Sequence, residues 1–140
     1  SGMKIENFPL AWRWTQPSHT VLPPTVLALL TPLDGDRANR FYRRGERIFN
    51  TAATSSLQHI SEQTEATREW LHTLPFDENA LVLLVWSRDS GISLPWNVFV
   101  AYWDDFCYPS CDDAFIFPES GDGSLAWNHE GVFQYVESAV

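Results

Sequence analysis

No apolar run in this chain approaches the ~20 residues needed to span a membrane. The longest, residues 80–86, is the length of a strand, so a membrane is excluded as a partner. The opening Lys4-Ile5-Glu6-Asn7 lacks a basic start followed by an apolar stretch, so no secretory signal is expected and the cytoplasm is the default location. Ser1-Gly2 before Met3 has the form of a tag remnant and is left out of fold reasoning. Cysteine is scarce: Cys107 and Cys111 are the only two, which fits a reducing compartment where thiols stay free. Internal repeats, low-complexity tracts and glycine-rich phosphate loops are lacking too, and no catalytic motif is present.

What the chain does hold is bulk and negative charge. Its 140 residues make one domain, long enough to bury roughly two-thirds of the unfolded surface without staples. Seven Trp and nine Phe supply the core material. The charge is lopsided along the sequence. Residues 1–76 carry eight basic groups against seven acids, a net of +1, whereas residues 77–140 carry only Arg88 against eleven acids, a net of −10. A field of that sign repels phosphate backbones, which argues against nucleic acid, and favours a basic protein.

Residues 80–136 organise the rest, read as strand, helix and three short strands. Residues 80–86 have no charged or hydroxyl side chain and so form a central strand covered on both faces. Trp96, Phe99, Trp103 and Phe106 recur at i, i+3, i+7 and i+10, which places four rings on one side of a helix over 96–106. Ser93 suits its N-cap and Pro95 its first turn. The plain reading of this stripe is hydrophobic core. Turn chemistry at 88–91 precedes it, and Ile92 is expected to begin a short extended piece between the two. After it, residues 114–117, 125–127 and 132–136, joined by short turns at 119–123 and 130–131, make an antiparallel meander.

Upstream, Leu10, Trp12 and Trp14 alternate, which predicts a short strand or extended arm. Pro24 starts a brief helix over 24–30. Asp34 and Asp36 open a longer amphipathic helix through Phe49, with Arg37, Arg40, Arg44 and Arg47 as a basic stripe. The stripe reads as a solvated face, or as internal neutralisation of the acidic second half. Ser55 and Gln58 have capping-box spacing. Leu57, Ile60, Thr64, Thr67, Leu71 and Leu74 then step by three and four, predicting a helix to about Leu74 with a break near Thr64. Together these give an α+β domain: an antiparallel sheet with a C-terminal meander, covered by several helices.

Three chemistries compete for the polar residues. Cys107 and Cys111, with Asp112, Asp113 and His129, lack the second ligand pair that zinc sites show, so no metal is assigned. A Cys/His nucleophile is disfavoured because nearby carboxylates raise a thiol pKa. Asp104-Asp105 and Asp112-Asp113 could in principle act as acid and base, but adjacent surface acids more often form a docking face. No cofactor is expected.

Trp103-Asp104-Asp105-Phe106-Cys107-Tyr108-Pro109, Asp112-Asp113, Phe117-Pro118-Glu119 and Trp127-x-His129-Glu130 together resemble a family of small uncharacterised bacterial proteins, a domain of unknown function. The resemblance covers the last third of the chain and implies no catalytic residues. In size, acidity and aromatic content the chain is also similar to the small α+β immunity proteins that bacteria encode beside toxins. The first functional expectation is therefore a non-enzymatic protein that binds a basic partner, such as a cognate toxin. Its binding residues would be Asp104, Asp105, Tyr108, Asp112, Asp113, Glu119, Asp122 and Trp127. The alternatives are a small enzyme using carboxylates or a metal near His129 and Glu130, and a housekeeping interaction or regulatory protein.

Overall fold

The apolar run at 80–86 forms the middle of the sheet in the computed structural model, which describes residues 4–51, 56–119 and 123–137. Strand β3 (Leu81–Ser87) pairs antiparallel with β4 (Ser90–Pro95) on one side and β5 (Ala114–Pro118) on the other. The meander follows: β5 pairs with β6 (Ser124–Asn128), and β6 with β7 (Val132–Val136). The edges are β1 (Thr31–Pro32), beside β4, and β2 (Ser56–Ile60), beside β7. The seven-stranded order is β1-β4-β3-β5-β6-β7-β2, antiparallel throughout. The fold is α+β with a C-terminal meander.

Alternation along the strands sends side chains to two cores. Val82, Leu84 and Trp86 of β3 face one side, where they meet Ile92, Leu94, Ile116, Leu125, Trp127 and Phe133. Leu83 and Val85 face the other with Phe117, Val136, Leu33 and Ile48. This is why residues 80–86 show no polar alternation.

A single helix, α3 (Gly35–Thr51), covers the smaller core. Asp34 starts it, its Oδ1 accepting the Arg37 N–H at 2.8 Å. At Gly45 the helix rides directly on β5: a Cβ there would stand 2.3 Å from the Phe115 ring. The absent side chain is what permits this approach.

The larger core is covered by the N-terminal segment, α4 (Thr64–His72), α5 (Trp96–Ala101) and α6 (Trp103–Phe106). All four rings of the predicted stripe are buried, Phe99 and Phe106 completely. The helix carrying them is not continuous, because Tyr102 (φ −123°, ψ 28°) divides it. Arg68 supplies the missing cap: its Nε donates to Val100 O and its Nη2 to Ala101 O, each at 3.1 Å.

Four local expectations are corrected. Ser93 is no N-cap. It lies inside β4, paired with Leu83 and Thr31, while Pro95 occupies the cap position of α5. The α5 N-terminal N–H groups of Trp96 and Asn97 instead donate to Ala80 O and Glu78 O, each at 2.9 Å. Residues 57–60 are strand rather than helix, since pairing with β7 outweighs their helical spacing. Leu57 and Ile60 consequently stay exposed, and α4 begins only at Thr64. Ser55 of the predicted capping box lies outside the described residues. Finally, Trp12, Arg13 and Trp14 form a helical turn, α1 (Trp12–Thr15), not a strand. Trp14 is buried between Phe8, Trp86 and Phe106, with its indole N–H donating to Asp105 O at 3.0 Å, whereas Trp12 is 40% exposed. The predicted 24–30 helix is shorter, α2 (Pro24–Leu27).

Candidate protein-binding site

The loop after α6 and the turn at α1 come together through one buried ion pair. Arg13 Nη1 and Nη2 donate to Asp112 Oδ2 and Oδ1 at 2.7 and 2.9 Å. Asp112 Oδ2 also accepts the Tyr108 N–H at 2.8 Å. Asp112 was expected at the surface; it is 7% exposed, because its carboxylate is spent on Arg13 and the loop backbone. The Arg13 guanidinium lies 4.1 Å from the centroid of the Tyr108 ring. On the same ring, His19 lies nearly parallel at 6.3 Å. Tyr108 is therefore a partly exposed aromatic packed between Arg13 and His19.

Asp104 and Asp105 lie within electrostatic reach of the Tyr108 phenol. Asp104 is exposed, with Arg68 Nη2 3.8 Å from its carboxylate. Asp105 is half-buried. Desolvation raises its carboxyl pKa above the ordinary value, a Thr20 hydrogen bond pulls it back, and the Asp104 charge raises it again. Desolvation likewise raises the Tyr108 phenol, with Arg13 opposing it and Asp105, Asp112 and Asp104 adding to it. Two carboxylates and a fixed phenol thus lie within electrostatic reach of one another.

The other expected residues do not join them. Asp113 is exposed beside β6, its Oδ1 accepting the His129 N–H and lying 3.1 Å from His129 Nδ1. It also borders a shallow groove of about 300 Å3 shared with Glu46 and the stacked rings of Phe49 and Phe115. Glu119 is at the far end of β5, 3.5 Å from Arg37. Trp127 is corrected to core: it is 2% exposed, its ring packed 4.8 Å from Phe133 and 5.8 Å from Trp103. Inward alternation along β6 puts it there. Asp122 lies outside the described residues.

The chemistry of the remaining candidates is plain. Cys107 is buried, its thiol pKa pushed well up by desolvation and then by the Asp112 charge, whereas Cys111 is exposed. Both are free thiols. Among the described residues no three His, Cys, Asp or Glu side chains are grouped to hold a metal. His129 and Glu130 sit on the exposed β6–β7 turn, and the His129–Asp113 contact is open to solvent. Among the described residues no helix is long and apolar enough to cross a membrane.

Arg13, His19 and Arg68 were not anticipated from the sequence. The available signal was Arg13 itself, a lone cation between two tryptophans in an apolar segment. No protein family, curated protein or solved structure matches the chain.

Proposed function

We propose that this chain is a non-enzymatic protein-binding domain whose Asp104–Asp105–Tyr108 surface docks a basic protein. An immunity protein that neutralises a cationic toxin in the bacterial cytoplasm is the form of this role that best suits its size and acidity. One observation carries the reading: a partly exposed tyrosine ring packed against the buried Arg13 guanidinium, with the Asp104 and Asp105 charges within electrostatic reach of its phenol. Such preorganisation lowers the entropy lost on docking, and aromatic anchors rimmed by charge are typical of interface centres. Supporting it, the described carboxylates Asp104, Asp105 and Asp113 form no ion pair with an arginine of α3. Two members of the expected set, Asp112 and Trp127, act from beneath, fixing the loop and filling the core.

The test is co-expression with the product of the adjoining gene, followed by stopped-flow association. Rescue of growth is expected, together with an association rate that falls about tenfold or more between low and physiological salt. Asp104→Asn with Asp105→Asn should slow association, and Tyr108→Ala should speed dissociation. Association indifferent to ionic strength would refute the reading.

A further inference from the structure

The basic helix presents a second surface of opposite sign. Five arginines of α3 stand against Asp36 and Glu46, a net of +3, so the rest of the chain carries −12 of the total −9. Arg37, Arg40, Arg43, Arg44 and Arg47, with Phe41, line one shallow groove of about 550 Å3. If this were only a solvated face of an acidic protein, its cations would be expected to pair with the chain's abundant carboxylates. Arg37 does so, with Glu119, at 3.5 Å. Arg40, Arg43 and Arg44 have no ion pair among the described residues.

Their guanidinium groups are held in other ways. Arg44 lies 6.0 Å from the Phe41 centroid and 5.3 Å from that of Phe117, and Arg40 lies 5.8 Å from Phe41. Arg43 Nε donates to Asn39 Oδ1 at 3.2 Å. A guanidinium resting near an aromatic ring keeps N–H donors along its edge for an oxyanion. Lysine would supply charge without that fork, and the chain's only lysine is Lys4.

The geometry points to the α3 groove as a docking site for a carboxylate-rich segment of another protein. Its size sets the class of ligand. From Arg37 to Arg47 the stripe runs about 15 Å along the helix, the length of about five residues of extended peptide. Asp34, Asp36 and Glu119 close one end, and Glu46 and Asp89 lie toward the other, where Glu46 and Arg88 share grooves with Arg43 and Arg47. A nucleic acid or an anionic bilayer extends beyond that window and would meet these carboxylates. A short acidic segment does not.

Fluorescence anisotropy with labelled pentaglutamate, matched to that window, tests the site directly. Binding is expected at low salt, with loss of about tenfold or more in Arg40→Glu/Arg44→Glu. Arg40→Lys/Arg44→Lys keeps the charge and the fold, and should still weaken binding several-fold because the fork is lost. Equal binding by the lysine variant would overturn the guanidinium site. A labelled oligothymidylate of equal length should bind more weakly; tighter binding than pentaglutamate would overturn the choice of ligand. Absence of pentaglutamate binding at low salt would overturn the proposal outright. Asp104→Asn/Asp105→Asn should leave pentaglutamate binding intact, so this result and the basic-partner result fail or stand separately.

Discussion

Breaking the Arg13–Asp112 pair should unfasten the N-terminal turn from the loop that carries Tyr108. The two residues are 99 positions apart, and their side chains are only 6% and 8% exposed. Arg13→Met leaves the Asp112 carboxylate buried with one remaining donor, the Tyr108 N–H. Asp112→Asn leaves the Arg13 cation buried, and its Nε already has no partner among the described residues. An uncompensated buried charge costs about 3–5 kcal/mol, so each single variant should lose at least about 3. That is a large part of the 5–15 kcal/mol that stabilises a typical domain. The double variant Arg13→Met/Asp112→Asn removes both charges, and its amide oxygen can still accept the Tyr108 N–H. Its expected loss is about 1–2 kcal/mol, because a desolvated pair is worth little against neutral groups of similar volume. Urea denaturation of all four proteins gives the coupling energy, expected to be at least about 4 kcal/mol. Losses that add within about 0.5 kcal/mol would refute the reasoning, since the two charges would then be solvated independently.

Three further outcomes follow from single positions. Gly45→Ala should destabilise the chain by about 1–2 kcal/mol, because crowding Phe115 outweighs the gain of roughly 1 kcal/mol in helix propensity; a raised melting temperature would count against the close helix–sheet contact. With a thiol reagent near pH 8, Cys111 should react at once and Cys107 only after urea is added, since burial and Asp112 hold Cys107 as the thiol. Two fast thiols in the native protein would contradict that. Asp105 has a folded pKa above its unfolded one, so the folded state binds more protons between the two values and stability falls as pH rises through that window. Asp105→Asn should therefore raise the melting temperature at neutral pH and have no such effect below the ordinary carboxylate range, while slowing association with a basic partner. A neutral-pH loss of stability would sink that assignment.

The fold was legible wherever side-chain chemistry and spacing agreed. Residues 80–86 announced a doubly buried strand by lacking any polar alternation, and the β5–β7 meander by short turns such as Glu130-Gly131, where Gly131 takes φ +83°. It was illegible where a partner distant in sequence decided the backbone. Leu57 and Ile60 fit a helical stripe, and only β7, more than seventy residues on, makes them a strand. β4 was legible only from Ile92 onward, because serine and glycine at 90 and 91 read as a turn. In the structure Gly91 is needed because a Cβ there would approach Val85 to 2.7 Å. The Tyr102 break was similarly out of reach, since Arg68, thirty-odd residues upstream, satisfies the carbonyls that a continuous helix would have used.

The binding surfaces were harder to foresee, because net charge along a sequence is not net charge over a surface. Dividing the chain at residue 76 put nearly all the imbalance in its second half, yet the fold interleaves the two halves. Arg13 crosses to Asp112 and Arg68 to Asp104, both in the large layer over Trp127 and Phe133. The first of these crossings removes a carboxylate from the surface. The second leaves one half-neutralised at 3.8 Å. Meanwhile α3 carries its arginines to the opposite side of the sheet, where one pairs with Glu119 and three rest on aromatic or amide neighbours. The sheet therefore puts the arginines of α3 on one side and the Asp104–Asp105 carboxylates of α6 on the other. A low-dielectric core lies between them, and each field acts outward on its own side. The two proposed surfaces predict that ligands of opposite sign bind at once, although net charge alone would admit only one of them.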